Sequence, residues 1–439
     1  MNTTVKQASV FDLDGVPKLS QALPLALQHV VAMIVGCVTP AIIISGAAGL
    51  SNESKILLIQ ASLVVSALAT FLTLFPVKCK AFRIGAGLPM ILGVSFAYVP
   101  SMQAIAGTGG IPAILGAQIV GGIIAIIVGL SIDKIRKFFP PLIAGTVVFT
   151  IGLSLYPTAI NYMAGGSGSA DYGSWQNWLV AVVTLTIVTL LNHFGKGFVK
   201  LASILIGMAC GYIFSMFFGM VHFSAIGEAG LVSVPQVLHF GIRFDPAACV
   251  ALGLLFAINS IQAIGDFSAT TSGGLDRQPT NTELKGGIVG YGIFNILGAV
   301  LGCLPTATYS QNVGIVTTTK VVNRATLGLA ALIILIAGLF PKFSALLTTI
   351  PYCVLGGATV SVFASIAMTG MKLVMTEKLT ARNSSIVGLA AALGMGVTQA
   401  SASLSMFPAW VTTIFGKSPV VIATLVAILL NVTLPKEES

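Results

Sequence analysis

Apolar runs of about twenty residues follow one another along nearly the whole chain, broken only by short clusters of Pro, Gly and charged residues. Each is long enough to cross the roughly 30 Å hydrocarbon layer of a bilayer as an α-helix. In hydrocarbon every backbone N–H and C=O must find its partner inside the protein, so helices are the expected spanning element. Only 8% of residues are charged and 56% are hydrophobic, whereas a soluble domain carries about a quarter charged residues. The chain reads as an all-α polytopic membrane protein. Its formal charge of +9, from 22 Lys and Arg against 13 Asp and Glu, calls for no nucleic-acid partner, because a bias of basic residues toward one membrane face accounts for the excess.

With Pro, Gly and charged clusters setting the breaks, spans fall at residues 23–45, 55–75, 86–102, 111–131, 139–156, 176–194, 199–219, 247–271, 285–303, 305–323, 325–341, 350–372, 384–404 and 416–434, fourteen in all. Charge sorts cleanly on this count. Alternate connections hold Lys78, Lys80, Arg83, Lys134, Arg136, Lys137, Lys196, Lys200, Arg277, Lys285, Lys320, Arg324, Lys372, Lys378 and Arg382. The opposite connections hold only Lys55, Arg243, Lys342 and Lys417. Fifteen against four predicts that both tails, 1–22 and 435–439, are cytoplasmic in a cell (inner or plasma) membrane. The first twenty residues lack the short apolar core and cleavage site of a signal peptide. Six cysteines are scattered without metal-ligand spacing, so no metal or other cofactor is expected.

Residues 304–324, LPTATYSQNVGIVTTTKVVNR, read badly as a membrane helix. Pro305, Gly314, a cluster of threonines and the amide pair Gln311 and Asn312 would be tolerated in a bilayer only where protein or a water-filled cavity shelters them. Residues 85–100, GAGLPMILGVSFAYVP, share the oddity, and Val94 to Tyr98 suit a short extended segment. An internal repeat relates the two. FPPLIAGTVVFTIGLSL from Phe139 matches IPYCVLGGATVSVFASI from Ile350, pairing Pro140 with Pro351 and Gly145 with Gly356 at an offset of 211, which carries Phe96 onto Ala307. Seven spans separate the mates, so the halves are expected to be inverted, and interrupted segments at equivalent places point to a midplane site as in secondary transporters.

Ionisable groups inside spans are costly and read first as functional. The two here are His29 in the first span and Asp266 in the eighth. Asn259, Gln262, Asp266 and Thr270 recur at helical spacing and share one face. That stripe is either a polar seam joining helices or part of a site, and His29 either a histidine satisfied by a carbonyl or a gating and proton-handling group. Phe96 is either core or a ring on which a flat ligand stacks. Gln311 and Asn312 offer donors and acceptors without charge, suiting a ligand with amide-like edges. No hydrolase, zinc-protease or nucleotide-binding motif occurs, which argues against an enzyme and leaves an ion gradient as the energy source.

QNVGIVTTTK, Gln311 to Lys320, resembles the signature of the nucleobase-ascorbate transporter family, also called nucleobase:cation symporter family 2. LQHV around His29, SFA around Phe96 and QAIGD ending at Asp266 are similar to that family's first, third and eighth spans. The resemblance runs from about residue 20 to 434. It implies fourteen spans in two inverted repeats of seven, with short β segments in spans 3 and 10. A core domain (23–131 and 247–341) would hold substrate, and a gate domain (139–219 and 350–434) would make a homodimer past which the core moves as an elevator. The implied substrate is a nucleobase, in signatures beginning with Gln an oxidised purine such as xanthine or urate, imported with a proton. Phe96, Ala97, Gln262, Ala307, Ser310, Gln311 and Asn312 would bind it, with His29 and Asp266 serving coupling and gating.

The chain departs from the family at two acids: Gln262 stands where Glu is usual, and Tyr291 where Asp is common. An amide hydrogen-bonds a base edge but does not titrate, which leaves Asp266 to carry any proton role. The rival reading is therefore an equilibrative carrier of uracil or another small heterocycle; a channel-like or receptor protein on the same fold is the other.

Overall fold

The computed structural model describes residues 8–78, 83–132, 140–408, 411–412, 415–416 and 418–435. Cys79, Lys80, Lys134, Arg136, Lys137, Phe139 and Lys417, and residues 1–7 and 436–439 of the tails, lie outside the described residues. Two helices open the chain, α1 (Leu19–Ala47) and α2 (Asn52–Leu74), followed by a two-stranded ladder of β1 (Val77–Lys78) and β2 (Arg83–Ile84). Next come β3 (Leu92–Val94), a 3₁₀ turn at Phe96–Tyr98 and α3 (Val99–Leu130). The apolar helices α4 (Pro141–Met163), α5 (Trp175–Phe194) and α6 (Ser203–Met216) precede α7 (Pro246–Leu275) and α8 (Asn281–Val300). The interrupted pattern then recurs as β4 (Thr306–Thr308) and α9 (Ser310–Thr319). The last elements are α10 (Arg324–Leu339), α11 (Pro341–Thr348), α12 (Tyr352–Val374), α13 (Ala381–Gln399) and α14 (Pro419–Thr433).

Local chemistry explains the helix starts. Ser51 accepts from the Ser54 amide at 3.3 Å, and Asp245 accepts from the Ala248 amide at 2.9 Å with Pro246 in the first turn. Thr280 and Glu283 form a reciprocal capping box. Each satisfies amides that the helix itself leaves unpaired. Among the described residues seven helical stretches are long and apolar enough to cross a membrane, and α10 with α11, bent by 81°, adds an eighth if taken as one span. One of the seven, Phe96–Leu130, leaves helical geometry at Gly110 (φ 67°, ψ −170°), two residues before Pro112. Positive φ costs glycine little and proline lacks the amide that would continue the helix, so the chain bends there.

β3 and β4 meet in an antiparallel pair with Leu92 opposite Thr308, Gly93 opposite Ala307 and Val94 opposite Thr306. Both strands are buried, so their outer edges need partners. Thr70 of α2 clamps Leu92 from one side, its hydroxyl donating to the Leu92 carbonyl and accepting from the Leu92 amide, each at 3.1 Å. Asn295 of α8 accepts from the Thr306 amide at 2.9 Å on the other. The helices that follow the strands begin at Val99 and Ser310, an offset of 211, and α4 and α12 begin at Pro141 and Tyr352 with the same offset.

The mates α4 and α12 pack through small residues. A methyl group added at Gly152 would lie 2.4 Å from the Ala367 amide nitrogen, and one at Gly370 only 2.1 Å from that of Phe149. Helices this close depend on the missing side chains. Gly152→Val is expected to cost about 1–3 kcal/mol through overpacking, read as a lower midpoint in a thermal melt of purified protein. An unchanged midpoint would mean that the two helices part freely.

Candidate functional site

The strand pair turns the backbone so that two helix beginnings, at Phe96–Tyr98 and at Ser310, face one cavity. Its volume is about 280 Å³. Ser95, Phe96, Ala97, Gln262, Thr308, Tyr309, Ser310 and Gln311 form one wall. The opposite wall comes from the packed mates, Val148 and Ile151 of α4 with Ser365, Ile366 and Thr369 of α12. Phe96 meets the Phe363 ring edge to face, centroids 5.2 Å apart, across this boundary.

Asp266 lies behind the lining. One carboxylate oxygen accepts from the Thr308 hydroxyl at 2.5 Å and the other from the Ser310 hydroxyl at 2.8 Å. It is 8% exposed, and no ion pair reaches it among the described residues. The acid therefore ties α7 to both sides of the β4–α9 junction. The polar stripe expected on α7 divides: Gln262 faces the cavity, Asp266 braces the junction, and Asn259 donates back to the Leu255 carbonyl at 3.0 Å. Thr270 is buried and its hydroxyl has no partner among the described residues.

His29 and Asn312 find each other rather than the cavity. The Asn312 amide nitrogen lies 3.2 Å from the His29 carbonyl and 3.0 Å from His29 Nδ1. A carbonyl only accepts, which fixes the amide's NH₂ on that side; Nδ1 then also accepts, and the ring proton sits on Nε2. His29 Nε2 and Asn312 Oδ1 are buried without hydrogen-bond partners among the described residues. At Tyr291, where the sequence lacks an acid, the hydroxyl contacts that of Tyr98; both rings pack on Phe256, at 4.8 Å from Tyr98 and 5.7 Å from Tyr291.

Of the nine residues singled out from the sequence, Phe96, Ala97, Gln262, Ser310 and Gln311 line the cavity, Asp266 supports it, and His29 and Asn312 form a separate buried pair. Ala307 is 4% exposed and spends its position in the strand ladder opposite Gly93. Sequence reasoning did not reach Tyr309, whose hydroxyl donates to the Val94 carbonyl at 2.6 Å and so closes β3 onto the start of α9. Nor did it reach the α4 and α12 wall, whose small and β-branched residues carry no chemical signal of their own.

A family profile described as a permease family, Xan_ur_permease, matches residues 20–403. The chain is 34% identical to a putative purine permease of Clostridium perfringens over 97% of its own length and 93% of the relative's. It is 33% identical to the xanthine permease of Bacillus subtilis over 94% and 93% respectively. Among solved structures, the transmembrane domain of a cyanobacterium bicarbonate transporter, BicA, superposes with a TM-score of 0.60 at 16% identity, covering 93% of this chain and 97% of that one. At that identity the likeness speaks to fold alone.

Proposed function

The chain belongs to the nucleobase-ascorbate transporter family of multi-pass membrane permeases, and from that premise we propose that it imports an oxidised purine, xanthine or urate, by proton symport. The observation that carries this reading is the cavity where Gln262 and Gln311 stand beside Phe96. Two neutral amides offer donors and acceptors to the ring N–H and C=O groups of such a base, and Phe96 offers a face for stacking. The relatives named as purine and xanthine permeases agree with it.

The remaining expectations are part of the same proposal. Fourteen spans form two inverted repeats; residues 23–131 and 247–341 are a core that moves as an elevator against a gate of 139–219 and 350–434, with a homodimer joined through the gate and both termini in the cytoplasm. In support, the cavity lies between a wall from the proposed core and a wall from the proposed gate, as such a motion needs.

Gln262 and Tyr291 favour a second reading, an equilibrative carrier of uracil or another small heterocycle. Uptake of labelled xanthine, urate, uracil and guanine in a permease-deficient strain, with and without a protonophore, tests both. Saturable purine accumulation that the protonophore collapses is the expected result. Protonophore-insensitive equilibration, or a preference for uracil, would replace it with the second.

A further inference from the structure

A second cavity, about 300 Å³, lies between α1, α6 and α11, away from the strand pair. Its lining is almost wholly apolar, with Ile34, Val38, Leu205, Met208 and Leu346 among its residues. At the end nearest the α1–α2 turn it meets a polar chamber of about 260 Å³, and Ile42 and Ile350 line both. The Tyr212 hydroxyl and Thr349 Oγ1 bond at 2.6 Å along that seam. The chamber holds Ser45, Asn52, His222 and Lys55. No ion-pair or hydrogen-bond partner reaches the Lys55 ammonium among the described residues.

Water finds too few polar partners in the apolar part to be held there, and an empty space would forgo the dispersion contacts of its walls. In a bilayer the filling at hand is hydrocarbon. The dimensions suit it: Ser45 to Ile34 along α1 is eleven residues, about 16 Å at the helical rise, close to half of the roughly 30 Å hydrocarbon thickness. The cleft is thus about as long as one leaflet's acyl chain, and Lys55 lines the chamber at its polar end.

We propose that this cleft binds an anionic phospholipid, with one acyl chain between α1 and α6 and the phosphate at Lys55. The lipid then sits at the border between the α1 side and the α6 side of the molecule.

The test is native mass spectrometry of the full-length protein, purified in mild detergent and exposed to mixed vesicles of phosphatidylglycerol and phosphatidylethanolamine. Wild type should retain phosphatidylglycerol over phosphatidylethanolamine by about fivefold, the effect of one basic residue near an anionic headgroup. Ala209 lines the cleft with an exposed side chain, so A209W fills it without disturbing a packed core and should lose the bound lipid. K55Q should keep a lipid but lose the preference. Lipid retained by A209W, or a preference unchanged in K55Q, would overturn the assignment, as would wild type that retains no lipid. The readout is lipid mass rather than uptake, so its failure would leave the transport proposal standing.

Discussion

Asp266→Asn is expected to abolish accumulation of purine against a gradient, bringing the internal concentration down to the external one, while the protein still folds and still exchanges substrate. The substitution preserves volume and leaves one acceptor oxygen for the Thr308 and Ser310 hydroxyls. Either hydroxyl can rotate to accept from the new NH₂ instead, so the β4–α9 junction keeps its brace. What disappears is the ability to take up and release a proton. A carboxyl that grips both Thr308 and Ser310 when ionised must change those bonds when protonated, which gives the proton a route to the shape of the cavity wall. With Gln262 and Tyr291 standing at the two places where family acids are usual, no carboxylate lines the cavity among the described residues, and Asp266 is the acid that grips its wall. The measurement is uptake of labelled xanthine with and without a protonophore, alongside counterflow in preloaded vesicles. Counterflow should survive and protonophore sensitivity should vanish. Accumulation that persists in the variant would sink the coupling role.

The sequence was most informative where residues broke the rule of their surroundings. Threonines, an amide pair and Pro305 inside an apolar chain marked the 304–324 stretch, and that stretch holds β4 and the start of α9. Asp266 and His29 stood out because charge in hydrocarbon is expensive. Less legible was which polar residues face one another. Gln311 and Asn312 are neighbours in sequence, yet one lines the cavity and the other turns to His29, since successive helical residues point about 100° apart. The α4 and α12 wall was invisible for another reason: Val148, Ile151 and Ile366 are ordinary membrane residues, and only tertiary packing makes them a surface of the site. The break at Gly110 was legible by contrast, because Gly107, Gly109, Gly110 and Pro112 interrupt the apolar run and the spans 86–102 and 111–131 leave that break between them.

That split between neighbours leads to the second large effect. Gln311→Ala is expected to raise the KM for xanthine by roughly ten- to a hundredfold, corresponding to about 1–3 kcal/mol for a hydrogen-bonding edge left unpaired in a dry site. Gln311 is exposed to the cavity, so its truncation opens space without creating a packing defect. Gln311→Glu replaces a donor and an acceptor with acceptors alone. It should lose xanthine equally and gain relative uptake of uracil, in line with the resemblance that links Glu at this signature position to that base. Asn312→Ala serves as the contrast. It strips His29 Nδ1 and the His29 carbonyl of their donor, so protein level and thermal midpoint should fall while the order of preference among bases is kept. Competition of labelled xanthine by unlabelled xanthine, urate, uracil and guanine reads both. If Gln311→Ala keeps the wild-type KM, or if Asn312→Ala rather than Gln311→Glu reorders the bases, the specificity residue is not Gln311 and the cavity wall must be reassigned.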